Sequence, residues 1–375
     1  MKVRAAILRE SGLPAPFAQS RPLSIEEVDL APPGPGEVMI KISAAGICHS
    51  DLSVIEGVRP RPLPMVIGHE SAGVVVEVGP FVTGLQVGDH VVSVFVPGCG
   101  HCVPCSGGRP VLCEPGAQAG AVGALLGGHR RLSLFGEPIN HHSGISGFAE
   151  YATVSQFSLV KIDKDLALEE AALFGCAVLT GVGAVVNSAQ VQPGSKVAVI
   201  GMGGVGMAAL LGALAAGASM VVALDTNEAK LSLAQSLGAT HIFNAKDSNV
   251  VDAVRDSTGG GVDTVIEVAG AVAALELGYA ITRRGGQLVT AGLPPPAATW
   301  QIPAVSIVAE ERTIRGSYMG SSVPVRDLPR FIELYRRGRL PIDRLVTHRL
   351  SLDDINEGMD RLQQGTAIRQ IVLMN

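Results

Sequence analysis

The chain has six cysteines in 375 residues, and their spacing sorts them into two sets with metal-binding character. Cys99, Cys102, Cys105 and Cys113 share one short segment, Cys99-Gly100-His101-Cys102-Val103-Pro104-Cys105 and then Cys113. Four thiolates this close can converge tetrahedrally on Zn²⁺ at about 2.3 Å, a closed site that holds a fold together. An iron–sulfur cluster competes on residue type, but its bacterial run ends C-x3-C-P, unlike the gap before Cys113. His101 reads as a bystander on this loop. The remaining cysteines, Cys48 and Cys176, flank His69 in the order Cys, His, Cys. Three ligands leave a fourth position open, and an open zinc binds and activates an oxygen atom. Two thiolates and one neutral imidazole also cancel the charge of Zn²⁺. Disulfides are the competing reading of an even cysteine count. The Cys-x2-Cys spacing, in a chain without a secretion signal, favours metal.

A second chemistry is written at Gly201-Met202-Gly203-Gly204-Val205-Gly206, which fits G-x-G-x-x-G. It follows the strand-like Lys196 to Ile200 and opens a helix-like run, the context that gives this pattern meaning. The first glycine permits a tight turn, the second lets backbone approach a pyrophosphate, and the third lets helix pack on strand. Free N–H groups at the helix start then favour the phosphates. Asp225 ends the next strand and is placed to accept hydrogen bonds from both ribose hydroxyls of NAD. Its charge would repel a 2′-phosphate, so NAD is expected over NADP. Lys230 is within reach of the same ribose.

These groups need elements to hold them. The first third of the chain is β-rich, with short β-branched runs at Val38 to Ile42, Ser71 to Val78 and His90 to Val96, bounded by Gly, Pro and Asp. Gly116 to Asn140 is glycine-rich and weakly patterned, and is expected to be a long surface excursion. Cys176 opens a helix-like stretch, Val178 to Val186. From about residue 178 strand and helix patterns alternate: strands at Lys196 to Ile200, Met220 to Leu224, Val262 to Val268 and Gln287 to Ala291, helices at Gly204 to Ala216 and Glu228 to Leu237. That alternation predicts a parallel sheet with helices on both faces. Beyond residue 320, helices are expected at Leu328 to Arg337 and Leu352 to Leu362, and a strand at Arg369 to Leu373.

Composition narrows the partners. The formal charge is −5, with 29 Lys+Arg against 34 Asp+Glu, so nothing attracts a phosphodiester backbone. The uncharged run Val197 to Leu224 resembles a membrane span by hydropathy alone, but six glycines interrupt it. A buried strand, turn and helix fit it better. The N-terminal Met1-Lys2-Val3-Arg4-Ala5-Ala6 has no signal-peptide core, so a cytoplasmic location is expected.

Gly68-His69-Glu70-Ser71-Ala72-Gly73-Val74-Val75, followed by Val78-Gly79, resembles the signature of zinc-dependent medium-chain alcohol dehydrogenases. So do Cys48-x-Ser50-Asp51, the four-cysteine loop, Gly175-Cys176 and the glycine-rich turn, in order and nearly end to end. The resemblance implies an α/β protein: a GroES-like, β-rich catalytic domain from residues 1–177 and 320–375, with a Rossmann NAD-binding domain, 178–319, inserted. It implies two Zn²⁺ per subunit and a homodimer built by joining the edges of two Rossmann sheets, some relatives being tetramers.

The same resemblance implies the chemistry. An alcohol occupies the fourth position on the catalytic metal, loses its proton there, and passes hydride to C4 of NAD⁺, giving an aldehyde or ketone. Ser50 bonds the substrate oxygen and relays the proton, Asp51 orients His69, and Glu70 is the carboxylate near the metal. Thr180 and Val205 correspond to positions touching the nicotinamide, Arg369 to a pyrophosphate-binding arginine, and Phe95 and Phe148 to the substrate pocket. Two departures stand out: Ser53 occupies the position where many members carry the last relay histidine, and His49 stands where some have a phosphate-binding arginine. The proton's exit is left open between water and His49. Uncharged primary or aromatic alcohols are the expected substrates. The runner-up, an S-(hydroxymethyl)glutathione dehydrogenase, needs cationic anchors, for which Arg59, Arg61, Arg130 and Arg131 are available. A non-catalytic protein on this fold would be expected to have a damaged ligand set, and a zinc-free quinone reductase would leave the seven metal-compatible residues unexplained.

Overall fold

A computed structural model describes residues 1–374. The chain divides into two compact units, one formed by Met1–Cys176, Val323–Pro329 and Val346–Asn375, the other by Ala177–Ser322 and Arg330–Leu345.

In the first unit, the strands Lys2–Leu8, Leu23–Leu30, Leu132–Leu134, Glu137–His141 and Met65–Val66 close a small barrel. A second sheet runs in the order Leu159–Ile162, His90–Ser93, Ser71–Val78, Glu37–Gly46, Arg369–Leu373, Val346–Ser351, with Tyr151–Ser155 also paired to Glu37–Gly46. The C-terminal strand lies antiparallel to Glu37–Gly46, with Ile371 opposite Gly46, so the end of the chain is built into the middle of this sheet. Apolar residues face inward from both layers: Ala45, Ile47, Leu52, Ile67, Phe148 and Val372 form one buried cluster, and Val38, Ile40, Ile42, Val75 and Val91 another.

The expected excursion at Gly116 to Asn140 is corrected here. It holds a helix, Glu114–Ala121, and the hairpin strands Leu132–Leu134 and Glu137–His141 that complete the barrel. Its glycines mask the pattern because several serve turns, such as Gly136 with φ +84 in the hairpin. The late helix begins at Pro324 rather than Leu328 and carries Pro329 inside it, and His90–Ser93 is shorter than expected.

The second unit is a six-stranded parallel sheet in the order His241–Asn244, Met220–Asp225, Lys196–Ile200, Val262–Glu267, Thr282–Thr290, Thr313–Gly316. Counted along the chain this is 3-2-1-4-5-6, the doubly wound order. Its central strands are near-continuous apolar runs because helices cover both faces. Val197 to Ile200 and Val221 to Leu224 are all buried. The uncharged run is thus a strand, a turn, the helix Gly204–Ala215 and a second strand. That helix is buried from Gly206 to Ala213, so it needs no polar stripe. Among the described residues, no single helix is long and apolar enough to cross a membrane.

Candidate active site

Three turns of the first unit bring Cys48, His69 and Cys176 together. Ala45 pairs with Ser71 across two strands, so the chain leaving one strand at Gly46 lies beside the chain entering the other at His69. Cys48 caps the helix His49–Ile55, and Asp51, three residues on, takes the Cys48 N–H on Oδ2 (3.0 Å). Gly68, just before His69, has φ +96, and a Cβ there would lie 2.6 Å from the Phe148 nitrogen. Cys176 follows Gly175, whose close approach to the Ser93 carbonyl (2.3 Å from an added Cβ) seats the turn on the strand His90–Ser93.

The donor atoms of Cys48, His69, Glu70 and Cys176 all lie within 4.8 Å of one another, and all four residues are buried. His69 Nδ1 bonds Asp51 Oδ1 at 2.8 Å, which directs Nε2 toward the thiols. His69 Nε2 and Glu70 Oε1 are buried, 3.9 Å apart, and neither makes a hydrogen bond. Buried polar atoms without partners are rare, and two side by side between two thiols fit a metal cation. The electrostatics agree. The Cys176 thiol, donating toward Cys48, and then His69 hold the Cys48 thiol well below its usual value, whereas Cys176 is pushed up by Cys48 and by burial. Burial pushes Glu70 up to about 7, against the pull of Arg369. Arg369 is itself buried and ion-paired to Glu70 Oε2, with Nη1 reaching the Ile47 carbonyl (3.4 Å). Gly46 makes this possible, since a Cβ there would sit 2.6 Å from Glu70 Oε2. Phe95 meets the His69 ring edge-on at 5.2 Å between centroids. Phe148 is fully buried and belongs to the apolar core. His49 is exposed at the start of its helix, next to the half-buried Ser50. Sequence reasoning passed over His142, which is buried against Asp51 (3.3 Å) and edge-on to His69. The His141-His142 doublet was its only signal.

Cys99, Cys102, Cys105 and Cys113 form the second donor set within the same 4.8 Å limit. Backbone N–H groups point at the sulfurs, from Cys99 and Gly116 to Cys113 Sγ (3.2 and 3.3 Å) and from Cys102 to Cys99 Sγ (3.4 Å). The His101 N–H, foremost, draws Cys99 down to about 7. All six cysteines are free, which sets the disulfide reading aside.

In the second unit the glycine-rich turn lies at the C-terminal end of the first strand, where strand order reverses, the crevice in which such sheets bind ligands. Gly201 has φ +97. A Cβ on Gly206 would lie 1.7 Å from the Gly201 oxygen, so only glycine closes the turn. A Cβ on Gly203 would meet nothing within 4 Å. The protein's own packing makes no demand for glycine at 203, and the open space beside it fits a pyrophosphate. Gly204 and Val205 open the helix, leaving its first N–H groups free of intrahelical partners. Asp225 takes the Met202 N–H on Oδ2 (2.6 Å) and the Asn227 N–H on Oδ1 (2.9 Å), so it stands beside the turn. Lys230 lies in the following helix, Glu228–Ser236. Thr180 is on the helix Ala177–Gly183, which packs against Val205 through Gly181.

A doubly wound sheet with this turn, in one chain with a closed and an open zinc-type donor set, defines a zinc-binding dehydrogenase. Residues 34–164 match the alcohol dehydrogenase GroES-like domain, and residues 204–337 match the zinc-binding dehydrogenase family. The chain belongs to the zinc-dependent medium-chain alcohol dehydrogenase family. It is 38% identical over 376 residues to the S-(hydroxymethyl)glutathione dehydrogenase of Synechocystis sp., covering 99% of this chain and all of that one. It is 37% identical to the enzyme of the same name from Paracoccus denitrificans, with both chains fully covered. Benzyl alcohol dehydrogenase from Acinetobacter calcoaceticus superposes with a TM-score of 0.93 at 34% identity, both chains fully covered. An alcohol dehydrogenase zinc-binding domain protein from Burkholderia ambifaria gives 0.94 at 38% identity, covering 100% of this chain and 99% of that one.

Proposed function

We propose that this protein interconverts uncharged primary or aromatic alcohols and their aldehydes with NAD as hydride carrier. The buried donor set Cys48, His69 and Cys176, with His69 Nε2 left without a partner, carries the reading. These three residues would hold the catalytic zinc, and Cys99, Cys102, Cys105 and Cys113 the structural one. A zinc ion at the open site supplies a Lewis acid that lowers the pKa of an alcohol hydroxyl. Asp51 keeps His69 oriented by its hydrogen bond to Nδ1. Ser50 takes the hydroxyl proton and hands it on, with His49 at the solvent side. Bound NAD⁺ would supply the hydride acceptor, so that alcohol and NAD⁺ would become aldehyde, NADH and a proton. Arg369 holds Glu70 in place through its ion pair. The glycine turn and Asp225 would seat the pyrophosphate and ribose. Six free thiols fit a reducing compartment such as the cytoplasm. A homodimer through the edge strand Thr313–Gly316 completes the reading.

A second reading, S-(hydroxymethyl)glutathione oxidation, draws support from the names of the relatives at 37–38% identity. Against it, Arg130 and Arg131, both expected as glutathione anchors, already have partners. Arg130 Nε donates to Asn140 Oδ1 (2.8 Å), and Arg131 Nε is ion-paired to Glu37 (2.6 Å). A panel of benzyl alcohol, 1-hexanol and S-hydroxymethylglutathione, followed as NADH formation, separates the two. The glutathione adduct is expected to show a kcat/KM about tenfold or more below benzyl alcohol, the worth of one missing charge-assisted hydrogen bond. The reverse order overturns the substrate assignment. Loss of all turnover in Cys48→Ser is expected, and full activity there would overturn the metal reading.

A further inference from the structure

The Asp51 carboxylate has two imidazoles on it, and only one belongs to the cysteine-containing donor set. His69 Nδ1 is 2.8 Å from Oδ1, and His142 Nδ1 is 3.3 Å from the same oxygen. The two rings meet edge-on, with centroids 5.3 Å apart. The Gly68 N–H also points at His142 Nδ1, at 3.1 Å. One nitrogen cannot accept from Gly68 and donate to Asp51 together, so the neutral ring has two bonded states, one for each tautomer. With Nδ1 bare it holds the backbone next to His69. With Nδ1 protonated it holds the carboxylate that orients His69. Both states brace the same imidazole. His142 is itself fixed, since its N–H bonds the Val66 carbonyl (3.2 Å), and its carbonyl accepts from Ile145 and Ser146.

We propose that His142 is a positioning residue for the metal-ligating His69, bracing it through Asp51 Oδ1 and the Gly68 backbone. The inference rests on the reading of Cys48, His69 and Cys176 as a zinc site. It goes beyond that reading by naming a group outside the cysteine-containing donor set of Cys48, His69, Glu70 and Cys176. Outer partners of ligating histidines govern how tightly the metal stays. The predicted effect is therefore on metal retention at this one site.

The test is zinc release from the holoenzyme to a chromogenic chelator, resolved into its two sites. In His142→Phe, which keeps ring bulk but loses Nδ1, one zinc per chain is expected to leave about tenfold faster than in the parent. The zinc of the four-cysteine cage serves as the internal control and should leave at the parental rate. His142→Asn puts an amide atom where Nδ1 stood and is expected to restore most of the retention. Release within twofold of the parent in His142→Phe overturns the inference. So does equal acceleration at both sites, which would mean general loosening, and so does failure of His142→Asn to improve on His142→Phe. A parent enzyme holding one zinc per chain would overturn the site reading itself, whereas two zincs with an indifferent His142 overturn this inference alone.

Discussion

Gly203 and Gly206 sit three residues apart in the dinucleotide turn for different reasons. Gly206 is demanded by the protein, because a Cβ would lie 1.7 Å from the Gly201 oxygen. Gly203, at φ −81 and ψ −170, has open space and a backbone that alanine tolerates. Gly203→Ala should therefore fold with unchanged stability, or gain about 0.5 kcal/mol, and still lose NAD affinity. Gly206→Ala should lose stability and NAD affinity together. Thermal melts beside NADH fluorescence titration check both, and unchanged NAD affinity in Gly203→Ala would count against a pyrophosphate at that turn. His141 contributes acid sensitivity at the same scale. Burial, with Arg130 and Arg131 adding to it, pushes it down to about 3. Its Nε2 accepts the Arg131 N–H (3.0 Å), so its proton sits on Nδ1, toward Ser146 (3.2 Å). A histidine whose pKa is depressed in the folded state is neutral in both states above its unfolded pKa. Below it the unfolded chain binds the proton first, so stability falls as the pH drops from about 6.5 toward 3. At pH 5 the loss should be about 2 kcal/mol. Urea titrations of the parent and His141→Gln across this range should show the variant with the shallower pH slope.

Among the elements, the C-terminal helix Ile355–Gln363 acts as a clamp on the other end of the chain. Asp360 Oδ1 and Oδ2 accept the N–H groups of Phe17 and Ala18 (2.6 and 2.9 Å), the first residues of the short helix Phe17–Ser20, which has no cap of its own. Asn356 bonds both the N–H and the carbonyl of Leu23. Asp360→Ala leaves two N–H groups without their acceptor and should cost about 3 kcal/mol, read as a lowered urea midpoint. A shift below about 0.5 kcal/mol would mean that water replaces the carboxylate. Elements were unevenly legible. Ser71–Val78 and Arg369–Leu373 match their expected spans because β-branched runs between turn residues mark strands directly. The barrel hairpin at 132–141 was hidden, since a three-residue strand is too short for its alternation to register.

At the scale of the whole molecule, the sheet of the second unit ends at Thr313–Gly316, which pairs on one side only. The neighbouring helix, Ala304–Ala309, exposes Val305 at 76% and Val308 at 80%. The proposed homodimer would use this open sheet edge and the exposed apolar side chains. Sedimentation of the parent is expected at twice the 38.7 kDa chain mass, and the pair Val305→Asp with Val308→Glu at the chain mass. A parent already at 38.7 kDa, or a doubly charged variant that stays paired, would rule this surface out.

The amino-acid sequence alone determined the groups available here: thiolates and an imidazole of metal-binding type, a glycine-rich turn between strand and helix, and an acid at the end of the next strand. It did so because ligand type and close spacing are local properties. The four-cysteine loop is legible for that reason, with all its members inside fifteen residues. Only the tertiary structure decided that Cys48, His69 and Cys176 share one buried point, because strand register and three separate turns bring them there. It also decided that Arg369 backs Glu70, and that His142 lies on Asp51. Those contacts join residues 299 and 91 positions apart, and no local pattern carries information across such distances.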